Sequence, residues 1–86
     1  MAWDVELSPA AFAFLSNMEK KDSERLTKKL EDAAKNPKHY LERLSGHDES
    51  RLRIGDYRAI ILLLHDRDMF YVETIEHRKK AYKKKN

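Results

Sequence analysis

The spacing of apolar and polar residues in the first quarter of the chain predicts a strand followed by a helix. Residues 3–7 alternate apolar and polar side chains, which is typical of a short half-buried strand. Ser8 and Pro9 are residue types favoured at the N-cap and first position of a helix, so we expect a helix over residues 9–20. Phe12 is expected to widen its apolar stripe. The stripe consists of Ala11, Phe14, Leu15 and Met18.

A second helix follows, capped by Asp22 or Ser23, and its buried face is predicted from residues at helical spacing. That face consists of Leu26, Leu30, Ala33 and Ala34. The helix should end at Asn36, because a residue that precedes proline disfavours the α region. The short link between the two helices predicts an αα-hairpin. Residues 38–46 then form a connection, which apolar side chains would pin to the core: Tyr40, Leu41 and Leu44.

Three further strands are predicted over residues 51–54, 57–65 and 69–76, with turns at residues 55–56 and 66–68. The middle strand is apolar at six successive positions, so both of its faces should be covered and it should be central. The first strand then pairs at an edge or joins the sheet in parallel. The expected class is α+β in the order β-α-α-β-β-β. A helical hairpin packs on a small, mostly antiparallel sheet, and a short C-terminal helix follows residue 78.

The turn at Gly55-Asp56 gathers basic residues on one part of this sheet. Glycine suits the first central position of a type II′ turn, and that turn places Arg53 opposite Arg58. Residues two apart share a face, so Arg51 joins them. Like charges directly opposite each other destabilise a sheet. Two interpretations follow: the arginines bind an anion such as a phosphate, or they pair with neighbouring acids on a solvated face. Those acids are Asp48, Glu49 and Asp56.

Charge is distributed unevenly along this chain of 86 residues, whose net charge is +3. Residues 77–85 read HRKKAYKKK and contain no acid. Such a segment indicates a nucleic-acid or acidic protein partner, with a solvated basic tail as the alternative. If residues 78–82 are helical, Arg78 and Tyr82 lie on one face of the helix. Tyr82 alone would otherwise anchor that helix to the sheet.

Several kinds of site and location are disfavoured by what the sequence lacks. Without cysteine there is neither a disulfide nor a thiolate metal site. The four histidines show no metal-ligand spacing, so we expect no metal and no cofactor: His39, His47, His65 and His77. No apolar run approaches the roughly 20 residues that span a bilayer, and no signal-peptide pattern is present. A cytoplasmic protein without membrane association is expected.

The order of elements and several short motifs resemble the RelE/ParE toxin superfamily, and specifically its RelE-type ribosome-dependent mRNA interferases. The motifs are KNP at residues 35–37, LSG at 44–46, RLRIGDYR at 51–58, and HR at 77–78 followed by Tyr82. The resemblance covers essentially the whole chain, which we therefore expect to be a single RelE-like toxin domain. These motifs mark the superfamily better than they mark one activity.

The resemblance implies a toxin of a type II toxin–antitoxin system that cleaves mRNA in the ribosomal A site. The ribose 2′-OH would attack the adjacent phosphate and leave a 2′,3′-cyclic phosphate. By position, Arg51 and Arg53 correspond to basic residues that hold the RNA and help to activate the 2′-OH. Arg58 corresponds to the arginine that braces the scissile phosphate.

The resemblance also assigns roles to the basic C-terminal segment. Arg78 matches an arginine that donates to the leaving 5′-oxygen or stabilises charge, and Tyr82 matches a tyrosine that stacks on the substrate or acts as base. Three lysines would bind RNA: Lys79, Lys80 and Lys83. The implied partners are a RelB-like antitoxin, the ribosome and mRNA, with the toxin–antitoxin complex binding operator DNA through the antitoxin.

Two departures from the family pattern affect the chemistry. Some relatives have lysines where this chain has Arg51 and Arg53, and an arginine, which keeps its proton at neutral pH, is a poor base. Charge stabilisation and positioning are therefore the expected contributions. Other relatives use a glutamate and a histidine; Glu49 and His77 lie nearby in sequence but are assigned no role.

Two other functions remain open on the same fold. ParE-type proteins inhibit DNA gyrase without cutting RNA, and a non-catalytic module would only bind RNA or an antitoxin. The pairing of Arg78 with Tyr82 favours RNA cleavage. An antitoxin partner is expected to be acidic and partly disordered, since it would complement the basic segment.

Overall fold

A computed structural model describes residues 3–43 and 49–77, which form five strands and three helices. In chain order the elements are β1 (Asp4–Leu7), α1 (Pro9–Ser16), α2 (Lys20–Lys35), α3 (Pro37–Tyr40), β2 (Glu42–Arg43), β3 (Glu49–Ile54), β4 (Tyr57–Leu64) and β5 (Met69–His77). The predicted C-terminal helix lies outside the described residues.

The strands form one sheet in the order β1-β5-β4-β3-β2. Strand β1 runs parallel to β5, and the other neighbours are antiparallel. This confirms the predicted α+β class, the central position of β4 and the parallel edge position of β1. The two strands beside β4 are those that follow and precede it in the chain, so tight turns connect them.

The core lies between one face of the sheet and the helical hairpin of α1 and α2. Its largest fully buried side chains come from both layers: Phe70, Leu26, Leu30, Ile61 and Val72. Strand β3 alternates strictly, with Ser50, Leu52 and Ile54 buried and the residues between them more exposed. Burying an aliphatic side chain contributes about 1.5–3 kcal/mol, so this alternation fixes which face of β3 meets the helices.

Ser8 connects α1 to β5 through three hydrogen bonds. Its hydroxyl oxygen accepts from the backbone N–H of Ala11 at 3.0 Å, which confirms the predicted N-cap. The same hydroxyl donates to the carbonyl of Glu73 at 2.6 Å, and the Ser8 N–H donates to the carbonyl of Val72 at 2.9 Å. The helix start and the middle of β5 are therefore held together at one residue.

The two long helices differ from their predicted bounds. Helix α1 ends at Ser16 rather than at residue 20, and α2 begins at Lys20 after the N-cap Glu19, so the prediction of Asp22 or Ser23 as the cap was wrong. Lysines are good helix formers, and extending α2 backwards leaves Asp22 in the first turn, where a negative charge interacts favourably with the helix dipole. Phe12 is 62% exposed and does not widen the buried stripe.

The connection after α2 contains more regular structure than expected. Pro37 ends α2 as predicted but also starts α3, since its fixed φ suits a first helical position. Tyr40 is exposed, whereas Leu41 packs against the core; Leu44 lies outside the described residues. The two-residue strand β2 pairs with β3, with Glu42 opposite Arg51.

Replacing Ser8 with alanine removes both the helix cap and the hydroxyl bond to β5. We expect Ser8→Ala to lower the free energy of unfolding by about 1–2 kcal/mol, measured by urea denaturation. Ser16→Ala, at an exposed position of the same helix, is the control and should stay within about 0.5 kcal/mol of wild type. Equal stability of the two variants would show that the Ser8 hydroxyl bonds contribute nothing.

Candidate nucleic-acid interface

The turn between β3 and β4 has the geometry that the sequence predicts. Gly55 has φ = +59°, a backbone conformation that glycine adopts easily, whereas Asp56 has no positive φ. This pattern is that of a type II′ turn, with a positive φ at its first central residue only. The pairing places Ile54 opposite Tyr57 and Arg53 opposite Arg58, which confirms the predicted register.

Three arginines share the sheet face opposite the helices. Because Leu52 and Ile54 point into the core, Arg51 and Arg53 point the other way. Arg58 faces the same side as Arg53, its partner across the strand pair. We call this side of the sheet, which carries the three arginines, the open face, because α1, α2 and α3 all pack on the other side.

Two of the three arginines are engaged by glutamates. Arg58 donates from Nε at 3.0 Å and from Nη2 at 2.6 Å to the same oxygen, Oε1 of Glu76. Arg51 lies with its Nε 3.7 Å from Oε1 of Glu42, its partner on β2. Arg53 is exposed and forms no ion pair with any described residue. Glutamates thus partly offset the charges of Arg51 and Arg58, whereas Arg53 is exposed to solvent.

These acids are not the ones expected from the sequence. The paired glutamates stand across the strands, whereas the expected partners were close in sequence. Glu49 and Asp56 form no ion pair with the arginines in the described part of the chain, and Asp48 lies outside it. Glu42 and Glu76 were missed because their proximity depends on two other strand registers. The prediction that acids pair with the arginines is therefore confirmed for Arg51 and Arg58, but the acids are Glu42 and Glu76 rather than those predicted.

A β-bulge in β5 places the carboxyl group of Glu73 beside that of Glu49 of β3 on the open face. Ile60 pairs with Thr74 while Ile61 pairs with Val72, so Glu73 is an extra residue in β5. A hydrogen bond with Glu49 raises the pKa of the Glu73 carboxyl, and desolvation and repulsion by the Glu49 charge raise it further.

His77 is separated from this arrangement by the sheet itself. It pairs with Tyr57 on the helix-covered side, where the two rings meet edge to face at 4.9 Å. The ring of Phe14 in α1 also meets that of Tyr57 edge to face, with the ring centres 6.0 Å apart. Glu49 lies on the open face, so Glu49 and His77 do not form an acid–base pair.

The remaining predicted site residues lie outside the described residues. They are Arg78, Lys79, Lys80, Tyr82 and Lys83. The last described strand, β5, ends at His77, one residue after the glutamate that binds Arg58. Within the described ranges, no group of three His, Asp or Glu side chains is placed to hold a metal ion, and none of the helices there is long and apolar enough to cross a membrane.

Sequence comparison assigns the chain to a family. A model of the ParE toxin of the type II toxin–antitoxin system parDE matches residues 5–82. The chain belongs to this toxin family. Its sequence matches no curated protein.

Solved structures of RelE toxins share the fold. In the RelBE2 toxin–antitoxin complex from Mycobacterium tuberculosis, the match has a TM-score of 0.79 at 15% identity and covers 91% of this chain and 93% of that one. The isolated Escherichia coli RelE toxin matches with a TM-score of 0.76 at 17% identity over 99% and 100% of the two chains. The RelE–RelB complex from Pyrococcus horikoshii OT3 gives 0.71 at 20% identity over 91% and 97%. The predicted RelE/ParE superfamily is confirmed.

The carboxyl pair of this toxin generates a prediction about pH. In the unfolded chain Glu49 and Glu73 separate, so Glu73 returns to its ordinary pKa near 4.5. Its pKa is higher in the folded state, which therefore binds the proton more tightly, and stability must fall as pH rises through that interval. Glu73→Gln keeps a donor toward Glu49 without the titration. We expect its melting temperature to exceed that of wild type increasingly from acid to neutral pH.

Thermal unfolding at a series of pH values measures this difference. Glu24→Gln, an exposed glutamate of α2, is the matched control and should follow the wild-type curve. A difference between Glu73→Gln and wild type that stays constant with pH would contradict a raised pKa of Glu73 in the folded state.

Proposed function

We propose that this toxin is a ribosome-dependent endoribonuclease that cleaves mRNA in the A site. The supporting observation is that Arg51, Arg53 and Arg58 share the open face, with Arg53 unpaired by any described residue. Guanidinium groups match phosphate oxygens with a planar fork of donors. A group of arginines on an uncovered sheet face suits a phosphodiester backbone better than a small buried substrate.

The proposed reaction is attack of a ribose 2′-OH on the adjacent phosphate, with departure of the 5′-oxygen. Negative charge builds on the non-bridging oxygens during this attack, and fixed cations lower the energy of the transition state. Arg58 is proposed to brace the scissile phosphate, while Arg51 and Arg53 hold the RNA and the attacking sugar. The resemblance to RelE-type enzymes adds Arg78 at the leaving oxygen and Tyr82 against the substrate.

Dependence on the ribosome follows from the chemistry of these residues. An arginine side chain rarely gives up its proton at neutral pH, and Glu49 and His77 lie on opposite faces of the sheet. The open face thus contributes charge and positioning more than proton transfer. Alignment of the 2′-OH with the phosphate would then come largely from mRNA held in the ribosome, and cleavage of free RNA should be slow.

Inhibition of DNA gyrase is the second candidate function, and the matched family supports it, since its description names ParE toxins. Mapping RNA ends and DNA breaks after induction separates the two functions. Cleaved messages support the endoribonuclease, whereas double-strand breaks without cleaved messages support gyrase inhibition. A toxin that causes neither would be a non-catalytic binding module.

The proposed partner is a RelB-like antitoxin, in line with the M. tuberculosis and P. horikoshii structures, which are toxin–antitoxin complexes. An acidic, partly disordered segment would complement Arg53 on the open face. Half-buried apolar side chains of the same face, including Ile60 and Leu62, offer it further contact area. Such a complex would act in the cytoplasm, on ribosomes and mRNA, and would reach its operator DNA through the antitoxin.

Removing single arginines from the open face tests the proposed site. We expect Arg53→Ala and Arg58→Ala each to slow mRNA cleavage in a translating extract by about 100-fold or more, as loss of one transition-state donor does. Primer extension on a defined message measures the cleavage rate with and without ribosomes. The same substitutions should relieve growth arrest.

Arg67→Ala is the matched control, because it removes the same charge from the β4–β5 turn at the opposite end of β4. Arg67 lies 3.8 Å from Asp66 in a surface ion pair whose loss should change little. Circular dichroism verifies that each variant folds. Unchanged cleavage by folded Arg53→Ala and Arg58→Ala proteins would exclude the open face as the site.

A further inference from the structure

Glu76 lies beside Arg58, the arginine that is proposed to brace the scissile phosphate. Neither the sequence motifs nor the resemblance to the family assigns a role to Glu76. It accepts two hydrogen bonds from Arg58, at 3.0 and 2.6 Å. Both side chains remain partly accessible, at 34% for Arg58 and 44% for Glu76. The pair is therefore within reach of a ligand on the open face.

The atoms that Arg58 and Glu76 use in their ion pair determine which N–H donors of Arg58 remain for a ligand. A guanidinium group has five N–H donors, and its side edge is formed by Nε and Nη2. Glu76 accepts at a single oxygen from that side edge of Arg58. Three N–H groups remain, two of them on the end edge formed by Nη1 and Nη2, and no described residue accepts a hydrogen bond from them. A phosphate can therefore take the end edge in bidentate fashion while Glu76 stays bound.

The position of Glu76 also offsets the repulsion between Arg58 and Arg53. Arg53, Arg58 and Glu76 form one row across β3, β4 and β5, with Arg58 in the middle. Adjacent strands lie about 4.8 Å apart, so Arg53 repels Arg58 from one side while Glu76 attracts it from the other. An unrestrained arginine has several rotatable bonds, and repulsion by Arg53 would swing Arg58 away from its place.

We infer that Glu76 is a positioning residue, which holds the guanidinium group of Arg58 by its side edge so that the end edge meets the scissile phosphate. This inference rests on the proposed endoribonuclease function. Glu76 itself touches neither the RNA nor the reacting atoms. Its carboxylate lowers the attraction for RNA slightly, and it increases the fraction of toxin molecules in which Arg58 is placed for reaction.

The test compares Glu76→Ala and Glu76→Gln with wild type in ribosome-dependent mRNA cleavage, under saturating and limiting substrate. Glu76→Ala frees Arg58, so kcat should fall by about tenfold or more through misplacement. KM should stay constant or decrease, because a negative charge near the RNA is lost. Glu76→Gln keeps an acceptor oxygen and should recover most of the lost kcat. A purely structural role would not separate kcat from KM in this way.

Coupling to Arg58 provides the second measurement. If Glu76 acts through Arg58, then Glu76→Ala should have no further effect in an Arg58→Ala background. Glu24→Ala, which removes the same charge from the exposed side of α2, is the control and should behave as wild type. Melting temperatures of all variants separate loss of folding from loss of rate.

The outcomes of these experiments distinguish failure of the proposed endoribonuclease function from failure of the proposed role of Glu76. Wild-type toxin that cleaves no message on ribosomes overturns the proposed function, and the role of Glu76 is lost with it. Cleavage by wild type with unchanged or faster cleavage by Glu76→Ala overturns only the positioning role. An equal loss in the Arg58→Ala background does so as well, since Glu76 would then act independently of Arg58.

Discussion

Burial of Leu52 and Ile54 under the helices is the constraint on which the arrangement of the open face depends. A slip of one residue between β3 and β4 would turn these two side chains to solvent and drive Arg51 and Arg53 into an apolar core. Charged groups are very costly to bury without partners, so the correct register is strongly favoured. The same core that stabilises the fold thus presents the arginines together, and no separate interaction is needed to align them.

The β-bulge at Glu73 has a comparable effect on the other side of β4. If the pairing of Ile61 with Val72 continued without the extra residue, Arg58 would stand opposite Ile75, and Glu76 would face the helices. The bulge instead places Ile75 in the core and Glu76 beside Arg58. Ser8 binds the carbonyl of the bulged residue, so the start of α1 contributes to a contact on the opposite face of the sheet.

The sequence predicted β3 and β4 together with their register because a two-residue turn leaves only one pairing, and the Gly55-Asp56 motif indicates that turn. The register of β5 was not predicted, because the bulge interrupts it. A signal existed: Val72 and Ile75 are both apolar but three residues apart, whereas a regular strand would place them on opposite faces. Strand β2 has two residues and no pattern of its own. The partners of Arg51 and Arg58 were missed for these reasons.

The charges on the open face are arranged in a way that is compatible with the proposed binding of a polyanion. Three arginines placed together without acids would repel one another and weaken the sheet. Glu42 and Glu76 offset that repulsion at Arg51 and Arg58, while Arg53 keeps its full charge for a ligand. Because Glu76 occupies only the side edge of Arg58, neutralising the repulsion does not consume the donors that a phosphate needs. Under the proposed function, the net charge of residues 77–85 would supply general attraction for RNA, while the strands would fix the geometry.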